Sequence, residues 1–292
     1  MDKSKKEKKS NKKQSMGAVI VRRMLKSKSC DVGLVIVFLL IVMALLAPVI
    51  MPYNYAAINV TERFMRPCAK HLLGTDQFGR DVLSRIMYGA RYSLQLGIES
   101  VAIGVFFGAI LGSICGFFGG KVDLIIMRIL DIVSAIPGML LAVVISAALG
   151  SGFYKCVLAI GISGIPGYCR MLRGSIMATR DNEYVEAATA INCSKFRIIA
   201  KHVFPNAMSP IIVQATMSIA SGITMAAGLA YIGLGVQPPN PEWGAMLSDA
   251  KNYIRDYPYL VVIPGAVIML TVLAMNLIGD ALRDAMDPKL KH

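Results

Sequence analysis

Few residues in this chain are grouped in a way that could make or break bonds. A loop cradling a phosphate needs Gly-x-x-x-x-Gly-Lys and then Ser or Thr. The nearest approach, Gly120-Lys121, has Cys115 where the first glycine belongs and Val122 where the hydroxyl belongs. No Gly-x-Ser-x-Gly elbow and no His-Glu-x-x-His pair occurs, and His71, His202 and His292 are isolated in the sequence. The six cysteines (Cys30, Cys68, Cys115, Cys156, Cys169, Cys193) form no Cys-x-x-Cys pair, so they read as small packing residues rather than metal ligands or a disulfide framework. What does stand together is a charged, amphipathic insert, Glu183-Tyr184-Val185-Glu186-Ala187-Ala188, followed by Pro205 and flanked by long apolar runs. A helical insert kept in water between such runs is suited to docking a soluble partner, not to catalysis.

The elements that hold this insert are set by composition. Of 292 residues, 55% are hydrophobic and 17% charged, against about 45–50% and about 25% in soluble domains. The mean hydropathy is +0.57. These values place the chain in a membrane as an all-α protein. Six spans are expected, at roughly 32–51, 93–118, 130–149, 154–171, 208–234 and 259–279, most near the ~20 residues needed to cross hydrocarbon. Pro137 lies near the start of the third, the fourth is short between Lys155 and Arg170, and Ser209-Pro210 reads as cap and first residue of the fifth. Run 32–51 is long for a signal peptide and has no small-residue cleavage site after it.

The net charge of +13 is concentrated in residues 1–28, which carry eleven Lys and Arg against Asp2 and Glu7. A basic run before an apolar span marks a cytoplasmic flank and gives no support to a nucleic-acid-binding domain. With that tail inside, 22 of the 31 basic residues fall on the cytoplasmic side, so both termini are expected there. The organisation expected is a basic tail over 1–28, largely disordered, a first helix and external segment over 29–92, and a five-helix core over 93–288. The insert at 181–205 belongs to that core.

Within the insert, Asp181 is expected to cap a helix over 183–192, and Ser194 a second over 195–204 that Pro205 stops. Phe196, Ile199, Ala200 and Val203 then make one apolar stripe. Periodicity alone also fits a helix lying on lipid headgroups, basic side to anionic lipid. Gly97, Gly104, Gly108 and Gly112 recur at four or seven residues, a stripe that lets helix backbones approach closely. Glu99 is the acid well inside a span and must face a wet pathway, the bundle interior or a partner. Trp243, after Pro238, Pro239 and Pro241, fits an interfacial anchor.

Glu186-Ala187-Ala188 with its spacer and Pro205 resembles the EAA loop of permeases of ATP-binding-cassette importers, with Asn192 where that family carries glycine and Phe204 where it carries leucine. Gly74-Thr75-Asp76-Gln77-Phe78-Gly79-Arg80-Asp81 with Tyr88-Gly89-Ala90-Arg91 resembles the external segment of dipeptide, oligopeptide and nickel importer permeases. Similarity continues through Gly233-Leu234-Gly235-Val236-Gln237-Pro238-Pro239, Trp243-Gly244 and Asn276-Leu277-Ile278-Gly279-Asp280 to Asp287-Pro288. The resemblance implies a type I importer permease of six helices, the second of two non-identical permease subunits, passing di- or oligopeptides, or else nickel or another small solute. It also implies a homologous permease partner, two cytoplasmic ATPase subunits carrying ATP and Mg, and an extracytoplasmic substrate-binding protein. Glu183, Tyr184, Glu186, Ala187, Ala188, Asn192 and Pro205 would then form the ATPase-coupling loop, and Asp76, Arg80 and Asp81 an external lip, although a plain loop also fits 74–81. An ion-coupled secondary transporter is the rival class, disfavoured by the lack of paired intramembrane acids beyond Glu99.

Overall fold

Long apolar runs punctuated by glycine and proline give a helical chain. The computed structural model describes residues 16–286 and holds no strand among them beyond a single bridge between Thr75 and Asp81. The helices are α1 Met16–Met24, α2 Lys28–Ile50, α3 Val82–Phe118, α4 Gly120–Ser134, α5 Gly138–Leu149 and α6 Phe153–Arg180. They continue with α7 Glu183–Ala190, α8 Lys195–Ile198, α9 Phe204–Ala207, α10 Ser209–Tyr231, α11 Trp243–Ala250 and α12 Tyr259–Met286. Residues 1–15 of the expected tail and the terminal 287–292 lie outside the described residues.

Four helices, α2, α3, α10 and α12, are long and apolar enough to cross a bilayer, and the α4–α5 pair makes a fifth if it is one span. The expected uninterrupted run 130–149 is corrected: α4 and α5 meet at an 85° bend. Pro137 is the cause, since it disfavours a helical Ile136 and cannot donate into the preceding turn. The expected short fourth span is a 28-residue helix, α6, whose Lys155, Arg170 and Arg173 keep it out of the apolar set. Helix α3 begins at Val82, not at 93, so a boundary at 92/93 would cut it mid-course. Its 37 residues extend about 55 Å, longer than a bilayer core of ~30 Å. Part of the expected unstructured tail is also helical: α1 packs by α12, with Arg23 Nη1 donating to the Ala285 carbonyl at 3.4 Å.

Helix α3 is the spine, and its glycines explain how. A Cβ on Gly108 would stand 2.5 Å from the Tyr168 Cβ of α6, and one on Gly112 2.7 Å from the Cys169 carbonyl. At Gly97 the obstruction is Ile223 of α10, at 2.8 Å. The small-residue stripe therefore seats α6 and α10 against α3 at backbone distance. Two apolar clusters close the ends of the bundle. At the end where α6 runs out, Leu172 and Ile176 of α6 pack under Val185, Ala188, Ile198 and Val203. At the far end, Val82 and Ile86 gather Trp243, Met246 and Leu260.

Candidate functional site

The insert after α6 is an ordered, two-sided element. Its first cap differs from expectation: Asp181 ends α6 with φ −89° and ψ 14°, and Asn182 is the N-cap of α7. Asp181 is not in the extended conformation that an N-cap adopts, and its carboxylate instead accepts from Arg180 Nε at 3.2 Å. At the other end of α7, Asn192 has φ +59°. The Cys193 N–H donates to the Ala188 carbonyl at 3.1 Å and the Asn192 N–H to the Thr189 carbonyl at 2.9 Å. Those two bonds make a Schellman ending, with asparagine filling the left-handed position that glycine usually takes.

Ser194 caps α8, its Oγ accepting from the Arg197 N–H at 3.4 Å. Pro205 does not stop the second helix, contrary to expectation. A π turn over Ile199–Val203 widens the chain, with the Phe204 N–H reaching back to the Ile199 carbonyl. Pro205 then falls in the first turn of α9, where its missing N–H costs little. The extra residue in that turn also shifts the register. The apolar residues facing the bundle are Ile198, Val203 and Ala207, five and four apart, not the expected stripe of Phe196, Ile199, Ala200 and Val203. Phe196 is left 81% exposed and Ile191 76% exposed, with Tyr184, Glu183, Glu186 and Ala187 also on the outside. Helix α10 follows from Met208, which takes the cap position expected of Ser209, because the chain arrives already helical.

The insert is tied to the bundle by more than its apolar underside. Arg180 Nη1 donates to the Gly116 carbonyl of α3 at 3.0 Å. Arg173 of α6 holds Asp123 of α4 through Nε and Nη2 at 2.5 and 2.6 Å. These contacts join the insert to α3 and, through α6, to α4.

At the far end, Asp76, Arg80 and Asp81 are buried rather than presented as a free lip. Arg80 Nε donates to Asp76 Oδ2 at 2.5 Å, and its Nη2 reaches Asp249 of α11 at 3.4 Å. Asp81 caps α3, accepting from the Ser84 N–H at 2.8 Å. It also meets His71 Nδ1 at 2.9 Å, while His71 Nε2 meets Glu62 at 3.2 Å. His71, isolated in sequence, is therefore clamped between two carboxylates. Glu62 pairs with Lys70 as well, and its carboxyl lies below its ordinary 4.5, first through the bond from Lys70 and then through that from His71. A depressed acid stabilises the folded segment above the unfolded value and loses that contribution as pH falls through the folded one. The melting difference between wild type and Glu62→Gln should close as pH falls below 4.5. A difference that persists undiminished well below that pH would contradict this linkage.

Trp243 is fully buried, which overturns its reading as an interfacial anchor: its Nε1–H donates to the Ile86 carbonyl at 3.1 Å within the far-end core. Glu242, unnoticed in the sequence, organises the turn before it. Its carboxylate accepts from the Gly244 and Ala245 N–H groups at 2.9 and 2.8 Å and from Ser93 Oγ at 3.1 Å. Burial pushes this carboxyl up, against the pull of the two backbone N–H groups. Glu242→Ala leaves those donors unpaired in the core and should cost about 1–3 kcal/mol, read as a lower melting temperature in detergent. Glu242→Gln, which keeps an acceptor oxygen, should lose less; equal losses would mean that packing, not the acceptor, is what matters.

Glu99 is half-buried and accepts from Gln95 Nε2 at 2.6 Å, one helical turn earlier. It does not line the cavity of about 390 Å³ that opens on the neighbouring residues Ser100 and Val101.

The described residues form a helical membrane bundle that carries an exposed insert. The same fold occurs in a solved structure: the chain is similar to a chain of the MetNI methionine ABC transporter in an inward-facing conformation, with a TM-score of 0.57 at 17% identity, over 70% of this chain and 97% of that one. The chain belongs to the family of binding-protein-dependent transport system inner membrane components, whose profile matches residues 108–292. A second profile, the N-terminal transmembrane domain of oligopeptide transport permease C, matches residues 15–67. A dipeptide transport system permease protein of Alkalihalophilus pseudofirmus is 44% identical over 92% of this chain and 89% of its own length. A di/tripeptide transport permease of Pseudomonas aeruginosa is 44% identical over 89% and 88%. A probable D,D-dipeptide transport permease of Escherichia coli is 41% identical over 94% and 92%. The protein is a multi-pass membrane permease subunit of an ATP-binding-cassette importer.

Proposed function

We propose that this chain is the C-type permease of a peptide importer and forms half of the path for di- or oligopeptides. The names of the relatives supply the substrate class, and the oligopeptide-permease profile over residues 15–67 supports the subunit type. Its partners are a homologous permease, a binding protein outside the membrane that delivers the peptide, and two cytoplasmic ATPase subunits that bind ATP and Mg. The insert lies on the cytoplasmic side, with both termini, and the α4–α5 pair and α6 complete six crossings.

The single observation that carries the coupling role is the division of the insert into two faces. Val185, Ala188, Ile198 and Val203 pack on the bundle, while Phe196, Ile191, Tyr184 and Ala187 are left exposed. Apolar groups on a rigid projection are what a protein partner's groove covers. Closure of the ATPases on ATP then moves the insert, and with it α3 and α6, between two arrangements of the bundle. Glu186 orients the docked helix through polar groups of the ATPase, and the binding protein docks at the far end of the bundle.

The test is reconstitution of the four-part complex in proteoliposomes with its binding protein. Peptide-stimulated ATP hydrolysis together with peptide accumulation is expected. Stimulation by a nickel complex and by no peptide would replace the substrate. Uptake driven by an ion gradient without ATPase subunits would remove the whole reading.

A further inference from the structure

A cavity of about 390 Å³ lies where faces of α6 and α10 meet beside Ser100 of α3. This volume falls within the ~300–1,000 Å³ typical of small-molecule sites. The polar groups on its wall are four serine hydroxyls (Ser100, Ser163, Ser218, Ser221), the Tyr168 phenol and the Gln214 carboxamide; the rest is glycine and aliphatic or thioether surface. No carboxylate, ammonium, guanidinium or imidazole lines it. Gln214, Ser218 and Ser221 recur at four and three residues, so they occupy one side of α10, a helix long and apolar enough to cross a bilayer. Gln214 and Ser221 are exposed in the isolated chain, and Gln214 Nε2 donates to Ser218 Oγ at 3.2 Å. A carboxamide turned toward lipid would be left short of partners, so this side faces protein or a wet space.

We infer that the cavity is the part of the path in this subunit that peptides touch, and that Gln214, Ser218 and Ser221 make it indifferent to peptide charge. The inference rests on the peptide reading above. Hydroxyls and carboxamides both donate and accept, so they can bind a peptide's amides in either direction and exchange one amide for the next. A fixed charge there would hold one terminus or one side chain and repel another, because Coulomb terms grow in a low-dielectric space. Conduction needs binding strong enough to admit the solute and weak enough to release it. A wall of neutral donors and acceptors on an apolar lining meets that condition for zwitterions of any side chain.

The experiment compares uptake of Lys-Ala, Ala-Ala and Asp-Ala by the complete complex in proteoliposomes, for wild type, Gln214→Glu and Gln214→Lys, with Ser221→Asp as a second acidic variant. The binding protein is common to all of them, so its own preference cancels when each variant's ratio of Lys-Ala to Asp-Ala uptake is divided by the wild-type ratio. That ratio is expected to rise about tenfold for Gln214→Glu and for Ser221→Asp and to fall about tenfold for Gln214→Lys. A defect of folding would slow all three peptides together and leave the ratio alone. Should Gln214→Glu fail to assemble, the Ser221→Asp ratio decides. Unchanged ratios in the variants that assemble would overturn the inference and leave the importer reading standing. So would failure of every charged variant to bind the second permease, which would mean that a partner helix fills the cavity. If wild type hydrolyses ATP with its loaded binding protein but moves none of the three peptides, the premise fails and the inference goes with it.

Discussion

Ala187→Arg should abolish ATP-driven uptake, by about a hundredfold or more, in a chain that still inserts and folds. Ala187 is exposed on α7 and packs on nothing in the bundle cluster, so a long cation there costs the isolated subunit almost nothing. At the centre of a docked interface the same cation removes about 2.7 kcal/mol or more, which is the hundredfold. The neighbouring substitution, Ala188→Arg, should fail differently. Ala188 is 6% exposed and lies against Leu172, Ile176 and Val185, so the guanidinium must either be buried without a partner or lift α7 off the bundle. Protease sensitivity of the insert separates the two: wild-type resistance in Ala187→Arg, rapid cleavage between 181 and 208 in Ala188→Arg. Phe196→Ala completes the set. A ring that is 81% exposed contributes little to the lone chain, so reduced co-purification of the ATPase with an unaltered melting temperature is the expected result. Normal uptake by Ala187→Arg at normal expression would show that α7 is not where the force enters.

Much of this was legible in the sequence, for identifiable reasons. Apolar run length found α2, α10 and α12 because a helix in hydrocarbon must satisfy its own backbone. The glycine stripe of α3 was legible because only close packing demands small residues at that period, and Asn192 because few other side chains accept a positive φ. Register around Pro205 was not. The π turn depends on how the incoming helix reconciles a missing N–H with the bundle below it, and of the predicted stripe it leaves Val203 buried but Phe196 and Ala200 exposed. The buried polar cluster of His71, Glu62 and Asp81 was equally hidden, since its members come together only when the far-end segment folds back on α3. Trp243 was misplaced for a related reason: an aromatic after three prolines suits an interface in sequence, but a cap built by Glu242 turns it inward. The polar side of α10 could have been found, because Gln214, Ser218 and Ser221 already show helical spacing within an otherwise apolar run.

Gly108→Leu should be the most damaging single change to the bundle itself. Even the first added carbon would sit 2.5 Å from the Tyr168 Cβ, with the Cys169 amide nitrogen and the Ile165 carbonyl oxygen each at 3.1 Å. The obstacle is backbone and Cβ, which no rotamer change can move, so α3 and α6 must separate by about an ångström over several turns. Contacts above and below then open as well, including those at Gly104 and Gly112. Overpacking of this kind costs about 1–3 kcal/mol where neighbours can shift and more where they cannot. The expected result is a chain that no longer accumulates in the membrane, or that melts well below wild type in detergent. Gly108→Ala should show the same direction with a smaller loss. Gly174→Ala is the control on the same pair of helices: nothing lies within 4 Å of its added carbon, so it should be neutral or gain up to about 1 kcal/mol from helix propensity. The α3–α6 seam also joins the insert to the rest of the bundle through Arg180 and Gly116. Gly108→Ala should therefore lower uptake more steeply than it lowers the amount of folded protein. If uptake per folded molecule stays at the wild-type level, the seam holds the fold together but does not transmit the ATPase stroke.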